Sequence, residues 1–215
     1  MTQNDYQNMT MKRLYLAIFF ACCLLAMTAQ DVIRVKYQGA KPNISDFVSA
    51  LVSSRGHVDE EECCVDESFN ALYNAWNQHL KGLPLNEGET LTVDEENGFV
   101  LYESRYEQHL LRIEMCYWNE SDRKHRLFAY SVSSFTDDKY NPGQYDVLTF
   151  YRYDNASKKM DIWNDVGFDV VYGIEGGVWL SYALPRTGKD ITVTSWYESG
   201  KKERALKWNG HGFSY

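Results

Sequence analysis

A stretch that occurs twice constrains this chain more than any other feature. Asp146 to Phe168 reads DVLTFYRYDNASKKMDIWNDVGF, and Asp190 to Phe213 reads DITVTSWYESGKKERALKWNGHGF. Each opens on an Asp, alternates through a strand, turns at a polar knot and returns to W-N-x-x-G-F. Trp163-Asn164 with Gly167-Phe168 and Trp208-Asn209 with Gly212-Phe213 share a common offset, while the Asp pair is out of step, so the second turn is the longer. Two copies of a hairpin-plus-cap unit specify β architecture. They are too few for a propeller or solenoid, whose faces are buried only by stacking more units.

Period-two alternation runs well beyond the repeat. From Thr90 onward it places strands near 90–95, 98–104, 109–118, 125–135, 145–153, 158–163, 176–184, 189–197 and 203–208. The cleanest is Leu111–Tyr117, with Leu111, Ile113, Met115 and Tyr117 inward. Polar links at 119–124, 154–158 and 198–202 read as hairpin turns. Ahead of the meander, Ile33, Val35 and Tyr37 alternate with Arg34 and Lys36, the pattern of a half-buried strand. Asn43 with Asp46 three residues on forms a capping box. Ile44, Phe47, Val48, Leu51 and Val52 follow at helical spacing. A second helix, 66–81, carries Phe69, Leu72, Tyr73, Trp76 and Leu80 on its apolar face and stops at Gly82 and Pro84. The fold class is therefore α+β: an N-terminal strand and two helices on one face of a long antiparallel β-meander, a twisted sheet or partly open barrel containing two similar hairpin units.

The first 29 residues stand apart from this domain. Lys12-Arg13 precede the apolar run Leu14–Met27, and Ala29 supplies a small residue at a cleavage position, the layout of a secretory signal peptide. The run is shorter than the ~20 residues a spanning helix requires. Residues 1–29 thus read as signal peptide and 30–215 as one domain, periplasmic or secreted. Cys22-Cys23 inside the run leave an outer-membrane lipoprotein as the alternative, and Met11 competes with Met1 as the start. A net charge of −8 without a basic stripe argues against nucleic acid, and the membrane becomes a partner only with lipidation.

In an oxidising compartment the mature cysteines, Cys63, Cys64 and Cys116, suggest one disulfide and one thiol. Sequence neighbours bridge only with strain, so Cys116 is expected to pair with Cys63 or Cys64.

Chemistry-bearing clusters are sparse. The acidic knot from His57 to Glu67 lacks the spaced ligands of a zinc site and reads as a helix start. The loop from Asp137 to Asp146 lacks the spacing of a calcium loop, and Asn-Pro-Gly within it is turn chemistry. Cys116 with one of His79, His109, His125 or His211 is the best nucleophile–base pairing, but a mid-strand cysteine is a structural position. No G-x-S-x-G, P-loop or G-x-G-x-x-G occurs. Trp163 and Trp208 read as equivalent core plugs.

In layout the chain resembles uncharacterised exported proteins of Gram-negative Bacteroidota, through the signal ending at Ala29 with Gln30 next and the late W-N-G-x-G-F ending. That resemblance implies an envelope location and supplies no activity or site residue. The function expected is a non-catalytic envelope or secreted binding module for a protein, peptide or glycan. No catalytic residue, metal or cofactor is assigned. A cryptic hydrolase with a cysteine or carboxylate site is the alternative. Val147, Tyr151 and Tyr153 match Ile191, Val193 and Tyr197 as core, whereas Leu148, Phe150 and Arg152 differ in type from Thr192, Thr194 and Trp196. The variable face is the expected contact surface, with Arg152 and Trp196 as anchors.

Overall fold

The computed structural model describes residues 32–55, 67–143, 146–171, 174–175 and 178–215. All but Val32 belong to one compact unit, Ile33–Tyr215. The signal-peptide expectation, the acidic knot, Cys63 and Cys64 lie outside the described residues.

The first helix begins as its capping box dictates. The Asn43 N–H donates to Asp46 Oδ2 at 2.9 Å, and the Asp46 N–H returns to Asn43 Oδ1 at 3.0 Å. Helix α1 then spans Ile44–Arg55 and buries Ile44, Phe47, Val48, Leu51 and Val52, the stripe read from the sequence. Helix α2, Glu67–Leu80, buries Phe69, Leu72, Ala75 and Trp76. Leu80, expected on that face, is the last residue of the helix and is exposed. The Trp76 indole N–H donates to Ser49 Oγ at 3.1 Å and ties the helices together.

Both helices cover one face of an eight-stranded antiparallel sheet. Its strands are β1 (Ile33–Arg34), β2 (Glu89–Asp94), β3 (Phe99–Tyr106), β4 (His109–Asn119), β5 (His125–Thr136), β6 (Lys139–Tyr140), β7 (Val147–Asp154) and β8 (Lys159–Ile162). The order is β1-β8-β7-β5-β4-β3-β2, with the short β6 folded back on β5. It is a meander whose first strand returns to the far edge. Ile113, Met115, Tyr130, Tyr151 and Tyr153 meet Phe47, Leu51, Phe69 and Trp76 beneath the helices. Arg126 fastens this layer: its guanidinium donates to Pro42 O at 2.6 Å, just ahead of α1.

The central strands bury their other face as well. A second antiparallel sheet contains β9 (Ile174–Glu175), β10 (Val178–Ala183), β11 (Ile191–Tyr197), β12 (Gly200–Trp208) and β13 (Phe213–Ser214). Leu180, Tyr182, Ile191, Val193 and Leu206 pack on Cys116, Trp118, Ala129, Leu148 and Phe150. Hydrogen bonds stitching the layers include Ser131 Oγ–H to Tyr182 O (3.0 Å), Trp118 Nε1–H to Lys189 O (2.8 Å) and Leu184 N–H to Glu114 Oε2 (3.0 Å). The expected single sheet is thus a sheet with a second, smaller one laid on it. The last hairpin is also tighter than read, Tyr197 pairing with Gly200, so β12 begins before the polar knot ends.

The two copies of the repeat become β7–β8 and β11–β12, one hairpin in each sheet. Their W-N-x-x-G-F caps meet. The Phe213 N–H donates to Val166 O at 2.7 Å, and the Phe168 and Phe213 rings touch edge to face at 6.1 Å. A Cβ on Gly167 would stand 2.4 Å from Phe213 O, and one on Gly212 would stand 2.6 Å from Val166 O. Each cap's glycine therefore makes room for the other cap's backbone. Trp163 and Trp208 both pack, partly buried, on the same inter-sheet core.

Gly167→Ala should destabilise the protein by roughly 2–4 kcal/mol, through a φ of +86° and the clash with Phe213 O. Gly188 has nearly the same φ, +84°, and no neighbour within 4 Å, so Gly188→Ala should cost only about 1–2 kcal/mol. Urea unfolding of both variants measures the difference. Equal losses would show that cap-to-cap contact contributes nothing.

Candidate functional site

Two regions gather chemistry-bearing side chains. The first is a cleft of about 370 Å³ between the sheets, lined by Ser133, Tyr140, Asp146, Trp179, Leu180 and Tyr182 among others. Asp146 opens the first repeat, yet its carboxylate closes a loop: Oδ2 accepts the Ser134 N–H at 2.8 Å, and Oδ1 accepts the Ser134 hydroxyl at 2.6 Å and the Gly143 N–H at 3.2 Å. Burial nonetheless raises its pKa above the ordinary carboxylate range. Burial, followed by the charge of Asp146, pushes the Tyr140 phenol up. Asp190, opening the second repeat, instead holds Lys207 and the Trp208 N–H of its own hairpin. The matching aspartates share a position without sharing a role.

Trp196 borders this cleft through Tyr140. The two rings stack at 6.0 Å, Phe135 meets Trp196 edge-on at 6.3 Å, and the indole N–H donates to Ser181 Oγ at 2.8 Å. The Lys201 ammonium covers the Trp196 ring at 5.5 Å. Trp196 is thus half-buried and oriented by four neighbours. Asp137 and Asp138, at the other end of the loop weighed for calcium, occupy the left-handed turn between β5 and β6 at φ of 50° and 58°. Asp146 is already engaged by Ser134 and Gly143, so the three carboxylates serve separate purposes.

The second region lies where the β4–β5 turn meets the β12–β13 turn. Arg152 Nε and Nη2 hold the two Glu120 carboxylate oxygens, each at 2.7 Å, and Glu120 is only 3% exposed. The guanidinium also lies 4.8 Å from the centre of the Trp163 ring. Glu120 raises the Arg152 pKa, as a buried bidentate partner must. His125 Nδ1 donates to Asp122 Oδ2 at 2.5 Å, which holds the Asp122 carboxyl well below its usual range. Glu120, Asp122 and His125 could offer one atom each to a cation within 4.8 Å of one another. Arg152 Nη2 already stands there, 2.7 Å from Glu120 and 3.7 Å from Asp122, and supplies the positive charge itself.

Arg152 and Trp196, expected as anchors of one surface, lie in different sheets. Leu148 and Phe150, read as neighbours of Arg152 on a contact face, are buried beneath the second sheet, while Tyr197, read as core, is 46% exposed. Cys116 is a free, buried thiol on the face turned away from the helices. The sheet itself stands between it and the layer that contains α2. Burial and then the neighbouring Glu114 push its pKa well up, the opposite of what a nucleophilic cysteine needs.

Sequence reading missed Glu114, whose alternation with Met115 marks it as solvent-facing. It lies at the margin of the inter-sheet core, and desolvation raises its pKa to about 7 against the Leu184 hydrogen bond. No protein-family model, curated protein or solved structure matches the chain.

The Glu114 shift has a definite sign. Between its ordinary pKa of 4.5 and about 7, the folded state binds more protons than the unfolded one, so stability falls as pH rises through that window. Above it the full cost of a buried charge is present. Glu114→Gln keeps an acceptor for Leu184 and should stabilise by roughly 2–3 kcal/mol at pH 8 and by nothing at pH 4. Urea midpoints at the two pH values test this, and a pH-independent difference would refute it.

Proposed function

We propose that this chain is an exported binding module whose ligand seats in the cleft between the two sheets. The observation that carries the reading is the composition of that cleft: Tyr140, Trp179 and Tyr182 supply flat apolar faces, and Ser133 and Asp146 supply polar edges. Ligand sites are concave, of about 300–1,000 Å³, and combine aromatic walls with a few convergent polar groups. A peptide side chain or a sugar ring suits such walls, because both present an apolar face bordered by hydrogen-bonding groups.

Trp196 contributes by fixing Tyr140 from outside. Arg152 has no comparable role at the cleft, since its charge and its planar face are committed to Glu120 and Trp163. The cysteine-hydrolase alternative loses its support with a buried thiol of raised pKa.

Fluorine NMR of the mature chain labelled with 5-fluorotryptophan, screened against short peptides and oligosaccharides, tests the cleft directly. Binders should move the Trp179 and Trp196 resonances together and leave Trp163 and Trp208 in place. Trp179→Ala should weaken the same binders at least about tenfold, a loss of about 1.4 kcal/mol. Binders that shift only Trp163 and Trp208 would move the site elsewhere.

Location is part of the proposal. Among the described residues no helix is long and apolar enough to cross a membrane. We expect the mature protein to begin at Gln30, as intact mass will show. A mature mass beginning at an acylated Cys22 or Cys23 would make it a lipoprotein instead.

A further inference from the structure

The two turns beside Arg152 hold a second arrangement that the cleft does not use. Ser121 lies in the β4–β5 turn and His211 in the β12–β13 turn, far apart in sequence. Ser121 Oγ is 2.7 Å from His211 Nε2, and His211 Nδ1 is 3.4 Å from Glu120 Oε2. Ser121 and His211 are exposed, whereas Glu120 is buried. A hydroxyl on one ring nitrogen and a buried carboxylate on the other is the arrangement of a serine nucleophile, its base and the group that orients the base. Such a set is recognised by geometry and roles, whatever the order of its members in the chain.

Local structure favours this reading over a simple fastening. The turns are already joined by main chain, the Ser121 N–H donating to Gly210 O at 2.9 Å, and the hydroxyl, 3.4 Å from that carbonyl, makes its much shorter contact with His211. Residue 210 is a glycine with φ +102°, and even its missing Cβ would lie 3.1 Å from Ser121 Oγ. Glu120 is fixed by Arg152, and His211 is held from below by the Asn209 side chain, which accepts its N–H at 3.0 Å.

We propose that Ser121, His211 and Glu120 form an acyl-transfer site acting on short acyl esters carried by a larger alcohol. Ser121 Oγ bonds to the ester carbonyl carbon while His211 Nε2 takes the hydroxyl proton. The carbon–oxygen bond to the alcohol then breaks, and His211 returns the proton to the departing oxygen. Water repeats the sequence on the acyl-serine, releasing the carboxylic acid and restoring the hydroxyl. Glu120 is a positioning residue that selects the Nδ1–H tautomer. The site is an open surface between two exposed turns, which suits a short acyl group on a bulky carrier and offers no channel for a long chain.

The inference is independent of the cleft, and its test uses the full mature chain. A fluorophosphonate probe should label Ser121, as peptide mass mapping will show, and the chain should hydrolyse p-nitrophenyl acetate. Ser121→Ala should abolish both with unchanged thermal unfolding, and His211→Gln should lower hydrolysis about 10²–10⁴-fold. Glu120→Gln should reduce kcat with KM retained, and Glu120→Asp should restore part of it. A rise in KM with kcat retained would remove Glu120 from the assignment. Absence of label on Ser121, or hydrolysis unaffected by Ser121→Ala, overturns the site whatever the fate of the cleft.

Discussion

Contact between two backbones at the caps determines how the layers of this protein meet. Phe213 N–H reaches Val166 O, and Gly167 and Gly212 each leave a gap that the opposite cap's main chain fills. A side chain at either glycine would collide with the opposite cap's carbonyl and push the two segments apart. The repeat is therefore an interface motif written once per sheet. Its tryptophans, Trp163 and Trp208, seal the same inter-sheet core, and the Phe168 and Phe213 rings fill the space between them. The strands differ between copies because β7 is covered on both faces, whereas β11 is covered chiefly by its Ile191 and Val193 side.

That difference explains what could be read from sequence. Local signals sufficed for the capping box at Asn43, the α1 stripe and most strands, because hydrogen-bond donors and alternation act over a few residues. The second layer was not legible. β4 reads as a strand with one wet face because Arg112 and Glu114 interrupt Leu110, Cys116 and Trp118. In the fold, Arg112 pairs with Glu103 at the sheet margin and Glu114 receives the Leu184 N–H, so charges occur at the rim of a buried interface. Ser131 and Ser133 likewise read as polar positions, yet both are buried. β6 and β13 are too short to generate a period.

The candidate sites show the same division. Trp196 was legible as a residue unlike its repeat partner, and it stacks on Tyr140, which lines the cleft. Its contacts with Phe135, Tyr140 and Ser181 depend on strand pairing and the curl of one sheet over another, which residue types do not encode. Arg152 was legible on the same ground, yet its role in the fold is a different one. A cation amid buried aromatic strands needs a partner, and Glu120 is supplied by a turn that reads only as a polar link. The Ser121–His211 pair was only half legible: His211 falls inside the second W-N-x-x-G-F cap and was weighed as a base, but Ser121 lies 90 residues away in a turn with no motif around it.

Folding cost and chemical use converge on the turn between β4 and β5. Burying Glu120 would be expensive for an isolated carboxylate, and the bidentate Arg152 with its Trp163 backing makes that burial tolerable. Once paired, the carboxylate is a rigid acceptor whose Oε2, held by Arg152 Nη2, also lies 3.4 Å from His211 Nδ1. The caps hold the two turns together, and the main-chain bond from Ser121 to Gly210 fixes their separation. The main-chain bond already joins the turns, and the Ser121 hydroxyl adds only a longer contact, 3.4 Å, to the same Gly210 carbonyl. A hydroxyl and an imidazole nevertheless occupy the positions from which they can exchange a proton at 2.7 Å. Structural need accounts for Glu120, Arg152 and the glycines, and the proposed acyl transfer gives the serine and the histidine a use beyond joining the two turns.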